Sequence, residues 1–245
     1  TVLLDEVSQN TNWSSISPTI FGGVFESTLN PETRAHGGMH YTSPENIHKV
    51  IDPLFLDSLK AELEDILEEP GITKAKRKRN LNQFHDKLAS LTFFDPACGS
   101  GNFLTETYIS LRRLENKVLS VLADDQTSLG FDDINASPLK ISLDQFFGLE
   151  INDFAVSVAS TALWIAQLQA NREAEMIITR NIEDLPLHDA AHIHQGNALR
   201  FDWNDVLSAK KCSYVIGNPP FLGYSRLGKE QKEDRLAIFG KSGGV

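Results

Sequence analysis

The sequence is poor in cysteine, in basic charge and in long apolar runs. Cys98 and Cys212 are its only cysteines. Two thiols cannot build a disulfide framework, and no paired Cys/His spacing suggests zinc, so reduced thiols in an intracellular setting are the simplest reading. No run of about 18 apolar residues exists; the greasiest stretch, 155–168, is interrupted by Ser and Thr. The opening residues Thr1-Val2-Leu3-Leu4-Asp5-Glu6 lack the basic start and long apolar core of a secretory signal. These absences predict a soluble, cytoplasmic protein with no membrane partner. Lys and Arg number 23 against 33 Asp and Glu, a formal net charge of −10. Taken whole, such a chain is no electrostatic sleeve for a polyanion, so any nucleic-acid contact must come from a local patch or another part of the protein.

What is present suffices for a core. Of the 245 residues 41% are apolar, and the mean hydropathy is −0.23, which excludes a disordered or low-complexity chain. Ser17-Pro18 followed by Ile20, Phe21, Val24, Phe25 and Leu29 predicts a short amphipathic helix, ended by Asn30-Pro31. Ser43-Pro44 repeats that start signal ahead of a stripe through Ile47, Val50, Ile51, Leu54, Phe55, Leu59, Leu63 and Leu67, which Pro70-Gly71 ends. Pro53 cannot sit unkinked in this stripe, so a bend or a second helix capped by Asp52 is expected there. The one basic cluster, Lys74-Ala75-Lys76-Arg77-Lys78-Arg79, reads as a solvated helix face or loop tip before it reads as a phosphate contact.

From Leu91 the period changes. Leu91–Phe94, Gln145–Leu149, His192–His194 and Ser213–Gly217 read as strands. A helical stripe through Phe103, Leu111, Leu114, Val118 and Leu122 follows the first, and a long helix from Asp153 to about Ala170 follows the second. Residues 123–140 are polar and turn-rich, and read as an insertion. Strands alternating with long helices predict an α/β fold, a doubly wound, mostly parallel sheet covered on both faces. No internal repeat is found.

Four strings carry chemistry. In Phe94-Asp95-Pro96-Ala97-Cys98-Gly99-Ser100-Gly101-Asn102-Phe103 a strand ends in an acid, a small-residue turn follows, and a helix begins. Glycines let backbone approach a ligand closely, and a helix N-terminus offers unpaired N–H groups. Glu150, in Gly148-Leu149-Glu150-Ile151-Asn152, stands at the second strand's tip, where a carboxylate can accept two ribose hydroxyls. Gln195-Gly196-Asn197-Ala198 follows the third strand, and Asn218-Pro219-Pro220-Phe221 follows the fourth. His188, His192 and His194 near Asp184 and Asp189 read as ordinary polar residues, not a metal cluster; Cys98 reads as a small residue packed under the turn, and Trp164 as core.

Read together, these strings resemble the motifs of S-adenosylmethionine-dependent DNA amino-methyltransferases. The resemblance implies a Rossmann-like class I methyltransferase fold with S-adenosyl-L-methionine as cofactor. It assigns the glycine turn (Asp95, Ala97, Gly99, Gly101, Asn102, Phe103) to the methionine part, with Asp95 toward the amino group. Glu150 falls to the ribose and Asn197 to the adenine, with Ile151 and Ala198 beside them in the cofactor site. It implies catalysis by Asn218, Pro219, Pro220 and Phe221, the signature of adenine-N6 transfer. The stretch 37–47, with Tyr41 and Thr42 in His40-Tyr41-Thr42-Ser43-Pro44, resembles the motif that covers the cofactor carboxylate. Its place ahead of the others is the gamma-type order. Pro53-Leu54-Phe55-Leu56-Asp57 and Ala162-Leu163-Trp164 are further similar to the MmeI-like type II restriction–modification enzymes.

That resemblance implies a helical lead-in over 1–90 and the N-terminal part of a catalytic domain over 91–245. About four of seven strands would be present, with the recognition domain and any nuclease elsewhere. Such a piece is expected to be inactive alone, to meet double-stranded DNA through the full-length protein, and to leave a sheet edge unpaired, covered by the tail or paired with another copy. Two alternatives stand beside it: a protein glutamine-N5 methyltransferase, which shares Asn-Pro-Pro plus an aromatic, and a non-catalytic cofactor-binding subunit.

Overall fold

A computed structural model describes residues 17–19, 23, 42–125, 138–178, 191–220 and 227–240. All but residues 17–19 and 23 of the helix expected near 17–29, most of the 123–140 insertion, His188, Tyr41 and Phe221 lie outside the described residues.

Pro44 at the first helical position, behind Ser43, opens α1 (Pro44–Ile51). Of the two outcomes expected at Pro53, a second helix does follow, but Asp52 does not cap it. The chain instead passes through a wide π-helical turn, Asp52–Leu56, and runs straight into α2 (Asp57–Glu68). The Asp57 N–H reaches back to the Asp52 carbonyl, and Asp52 is the C-cap of α1 rather than an N-cap. A π turn tolerates the missing N–H and the ring of Pro53 without ending the helix. It also turns Phe55 onto the sheet, 5.1 Å from Phe93 and 4.9 Å from Tyr214 between ring centroids. Gly71, at φ 72°, ends this arm, and Thr73 caps α3 (Lys74–Ser90) by accepting the Lys76 N–H. The basic cluster occupies the first turns of α3, where Lys76 pairs with Glu69 at 2.6 Å.

The sheet has four parallel strands among the described residues: β1 (Phe93–Asp95), β2 (Phe146–Glu150), β3 (His192–Gln195) and β4 (Tyr214–Val215), in the order β3-β2-β1-β4. α4 (Asn102–Asp125) crosses from β1 to β2, and α5 (Asp153–Ile178) from β2 to β3. α4 extends a little into what the sequence reads as insertion, and α5 runs about two turns beyond Ala170. After β4 comes α6 (Lys229–Phe239).

Period-two alternation sorts the core by face. Phe93 and Phe146 stack at 5.4 Å on one face, in a cluster with Tyr108, Leu111, Leu163 and Ala166 of the two crossover helices and Ile47, Phe55 and Leu81 of the lead-in. Phe94 and Leu149 point to the other face, against Leu207, with Phe147 and Phe201 packed alongside. The lead-in is therefore joined to the sheet through one core. His48 adds a polar tie: its Nδ1 meets Asp52 at 2.8 Å and its Nε2 meets Glu106 of α4 at 3.1 Å. Burial pulls the His48 imidazole down, but the two carboxylates outweigh it and hold it above its ordinary pKa.

The sheet reverses direction at β1, whose neighbours β2 and β4 are reached in opposite senses. In open α/β sheets the crevice outside the carboxyl ends at such a switch is where ligands bind.

Candidate functional site

The strand tips at that switch hold three of the four strings, with the fourth beside them. β1 ends in Asp95, only 1% exposed, whose Oδ1 accepts the Ala97 N–H at 3.0 Å. The turn is tied to β2 by the Cys98 N–H on the Leu149 carbonyl at 2.9 Å, and it folds on itself through the Gly101 N–H on the Cys98 carbonyl at 2.8 Å. Gly99 and Gly101 take φ of 54° and 76°, which side chains rarely adopt. A Cβ on Gly101 would sit 2.9 Å from that of Ala159, so α5 packs directly on the turn. Above Gly99, by contrast, a Cβ would meet nothing within 4 Å. Asn102 opens α4, and Phe103 drops into the core at 5% exposure. Cys98 packs beneath the turn as its size suggests: a Cβ on Gly148 would lie 2.9 Å from its sulfur, and burial pushes its thiol pKa far up, which excludes a ready thiolate.

Glu150 leans back toward the turn. Its Oε2 accepts the Gly99 N–H and its Oε1 the Asn152 N–H, both at 2.9 Å. Asn152 in turn caps α5 by accepting the Ala155 N–H. Ile151, beside Glu150, is 65% exposed. Asp95 and Glu150 thus share one crevice. Burial first, and the Glu150 charge second, push the Asp95 carboxyl up to about 7, against the pull of its Ala97 hydrogen bond.

The fourth strand closes the arrangement. The Ile216 N–H pairs with the Phe94 carbonyl, so Gly217 arrives over Asp95. Gly217 has φ 145°, and a Cβ there would lie 2.4 Å from Asp95 Oδ1. The next residue, Asn218, is exposed and donates its Nδ2 hydrogen to Thr42 Oγ1 at 3.3 Å. Pro219 and Pro220 follow, exposed. Asp95, Glu150 and Asn218 are therefore gathered at adjoining strand tips, with Thr42 reaching them from the lead-in.

Asn197 lies one strand farther out. The Gly196 N–H bonds the Glu150 carbonyl, and the Asn197 side chain accepts the Leu199 N–H at 3.0 Å while its amide nitrogen donates to Asp234 of α6 at 2.9 Å. The Ala198 carbonyl accepts from Trp203 Nε1. Asp234 was invisible to motif reading: it is 37 residues from Asn197, and only folding brings the two together. Asn152 could have been found as an N-cap signal ahead of α5. Trp164 is half-buried rather than core. His192 stacks on Phe147 at 4.7 Å, and among the described residues no group of three His, Cys, Asp or Glu is placed to hold a metal.

A family model, the MmeI DNA-methyltransferase domain, matches residues 72–244. The chain belongs to that family. DNA methyltransferase A of Bacillus subtilis (strain 168) is 42% identical over 242 residues, covering 98% of this chain and 26% of that protein. The putative type II restriction enzyme and methyltransferase RM.MjaORFECS2P of Methanocaldococcus jannaschii is 26% identical over 236 residues, covering 86% of this chain and 19% of that one. Among solved structures, the type IIL restriction-modification enzyme MmeI in complex with DNA superposes with a TM-score of 0.83 at 44% identity, over 94% of this chain and 29% of MmeI. The chain thus spans 19 to 29% of the relatives it matches. The fold is accordingly the Rossmann-like methyltransferase α/β fold. The match to a DNA-methyltransferase domain gives no support to the glutamine-methylating or non-catalytic alternatives, nor to the expectation of an inactive piece.

Proposed function

We propose that this domain transfers a methyl group from S-adenosylmethionine to the N6 amino group of adenine in DNA, within a restriction–modification enzyme. The observation that carries the reading is the convergence of Asp95, Glu150 and the Gly217-Asn218 turn on one crevice at the β1/β4 switch. Two features fit a cationic, ribose-bearing ligand there. The turn is open above Gly99, and the buried Oδ1 of Asn102 at its end has no hydrogen-bond partner. Two carboxylates face the crevice, and among the described residues no Lys, Arg or His pairs with either.

The cofactor supplies an electrophilic methyl on a sulfonium centre. Asp95 would hold its ammonium, Glu150 its ribose hydroxyls with the lone pairs left after Gly99 and Asn152, and Asn197 its adenine through Oδ1. Ile151, exposed beside Glu150, offers apolar surface to the base. Asn218 and Pro219 act on the other substrate. An adenine amine is a poor nucleophile because its lone pair is drawn into the ring. Accepting its two hydrogens on the Asn218 Oδ1 and the Pro219 carbonyl would turn that lone pair out of the ring plane. As the amine gains positive charge, the same two carbonyl dipoles stabilise it more than they stabilise the ground state. The rigid Pro219-Pro220 pair keeps the carbonyls in place, and Phe221 would offer a ring face to an extruded base. A DNA substrate implies a cytoplasmic enzyme; among the described residues no helix is long and apolar enough to cross a membrane.

The test is transfer of a labelled methyl group to duplex DNA by the full-length protein that carries this domain. Adenine should take the label, and Asn218→Ala should lower turnover by about a thousandfold, as for other lost transition-state contacts. Label on cytosine N4 would reject the adenine assignment.

A further inference from the structure

Asp234 is 7% exposed on a helix whose Leu236, Ile238 and Phe239 lie open to solvent. A carboxylate buried on an otherwise exposed helix must be held by its partners. Asp234 has two: Oδ1 accepts from Arg200 Nε at 2.6 Å, and Oδ2 from Asn197 Nδ2 at 2.9 Å. The Arg200 hydrogen bond, aided by Asn197, holds its pKa below the usual carboxylate range, so it stays ionised at neutral pH.

An ionised carboxylate only accepts hydrogen bonds, so the Asn197 group facing it must be the NH2. On the other side, the Leu199 N–H only donates, and the atom it reaches at 3.0 Å must be the oxygen. Two independent partners therefore impose one orientation on the Asn197 amide, and its oxygen keeps a lone pair for a third group. The sheet says what that group would be. Gln195 of β3 pairs with Glu150 of β2, and Asn197 lies just beyond it. On the cofactor reading, a ribose held by Glu150 would leave its base on the β3 side, where Asn197 lies.

We infer that Asp234 is a positioning residue: it fixes the Asn197 amide with oxygen toward the cofactor's purine, and so makes the site select a 6-amino over a 6-oxo base. The inference rests on the cofactor reading above and adds a residue outside every motif. An aspartate at 197 would accept in either orientation; an asparagine must be told which way to face.

The experiment measures binding of S-adenosylhomocysteine and S-inosylhomocysteine to the full-length protein by calorimetry. The wild type should prefer the adenosyl ligand by about tenfold or more. In Asp234→Asn, Arg200 still claims an oxygen, which turns the new NH2 against the Asn197 NH2 and favours a flip of that amide, opposed only by the Leu199 N–H. The preference should then fall about tenfold, because a flipped amide donates to the 6-oxo group. The exchange Asn197→Asp with Asp234→Asn puts at 197 a carboxylate that accepts in either orientation, and should recover the preference, whereas a merely structural role would weaken both ligands alike and leave their ratio unmoved in either variant. It also keeps the test decisive if the single variant is unstable. An unchanged preference in Asp234→Asn, or no recovery in the exchange, overturns the role of Asp234. A wild type that binds neither ligand overturns the cofactor reading and the inference with it, whereas one that binds both equally well overturns the inference alone.

Discussion

Two buried acids in this domain meet opposite fates. Glu115, on α4 behind the sheet, is fully enclosed and has its charge matched by Arg112. It pairs with Arg112 Nε at 2.9 Å and with His85 Nε2, and accepts the N–H groups of Lys140 and Ile141. Arg112 also donates to Tyr108, Asn171 and the Ala170 carbonyl, so α3, α4 and α5 are tied around a pair of opposite charges. Asp95, at the tip of β1, is just as buried, yet it has one backbone N–H and a second carboxylate for company. The first arrangement needs nothing from outside the protein. The second, on the proposed reading, leaves its charge for a cation brought by the cofactor. Burial alone does not mark a site; burial of charge without its counter-charge does.

Replacing each acid should expose this difference. Glu115→Leu strands Arg112 in the core, and a loss of about 3–5 kcal/mol is expected by denaturant unfolding; a loss under about 1 kcal/mol would mean the network is not closed. Gly217→Ala puts a methyl into the Asp95 carboxylate on a backbone already at φ 145°. It should cost about 2 kcal/mol and abolish cofactor binding, and an alanine variant that binds normally would deny that β4 roofs Asp95.

Asp95→Asn should be close to neutral in stability near pH 5. Because the folded-state pKa is raised to about 7, the native domain keeps a proton that the unfolded chain gives up from about pH 4 upward. Stability therefore declines as pH rises between these values, and the decline should vanish in Asp95→Asn. A slope shared by wild type and variant would assign it to another group.

Much of the site was legible because its parts are local. The glycine turn follows β1 directly, and its positive-φ glycines, the acid before them and the helix after them form one continuous string. β1, β2 and β4 announced themselves by short apolar runs, although β1 and β4 prove shorter than those runs, while β3 is mostly polar. What escaped depends on partners far along the chain. The π turn at Pro53 is held by Phe55 packing on Phe93 and Tyr214, which no local rule for proline contains. The contact of Asn218 with Thr42 spans 176 residues, and Asn197 is oriented by a carboxylate 37 residues away. Glu115 and Arg112 are an i, i+3 pair of a kind common on helix surfaces, and only the packing of α3 and α5 makes them core.

Calorimetry of S-adenosylhomocysteine binding across pH, in two buffers of different ionisation enthalpy, bears on the unpaired acid most directly. A ligand ammonium beside Asp95 favours its ionised form, so binding should release a proton below about pH 7 and tighten by on the order of tenfold from pH 5.5 to 8, with both effects absent in Asp95→Asn. Equal affinity at both ends of that range, with no proton released, would mean that the crevice does not hold the cofactor's cation.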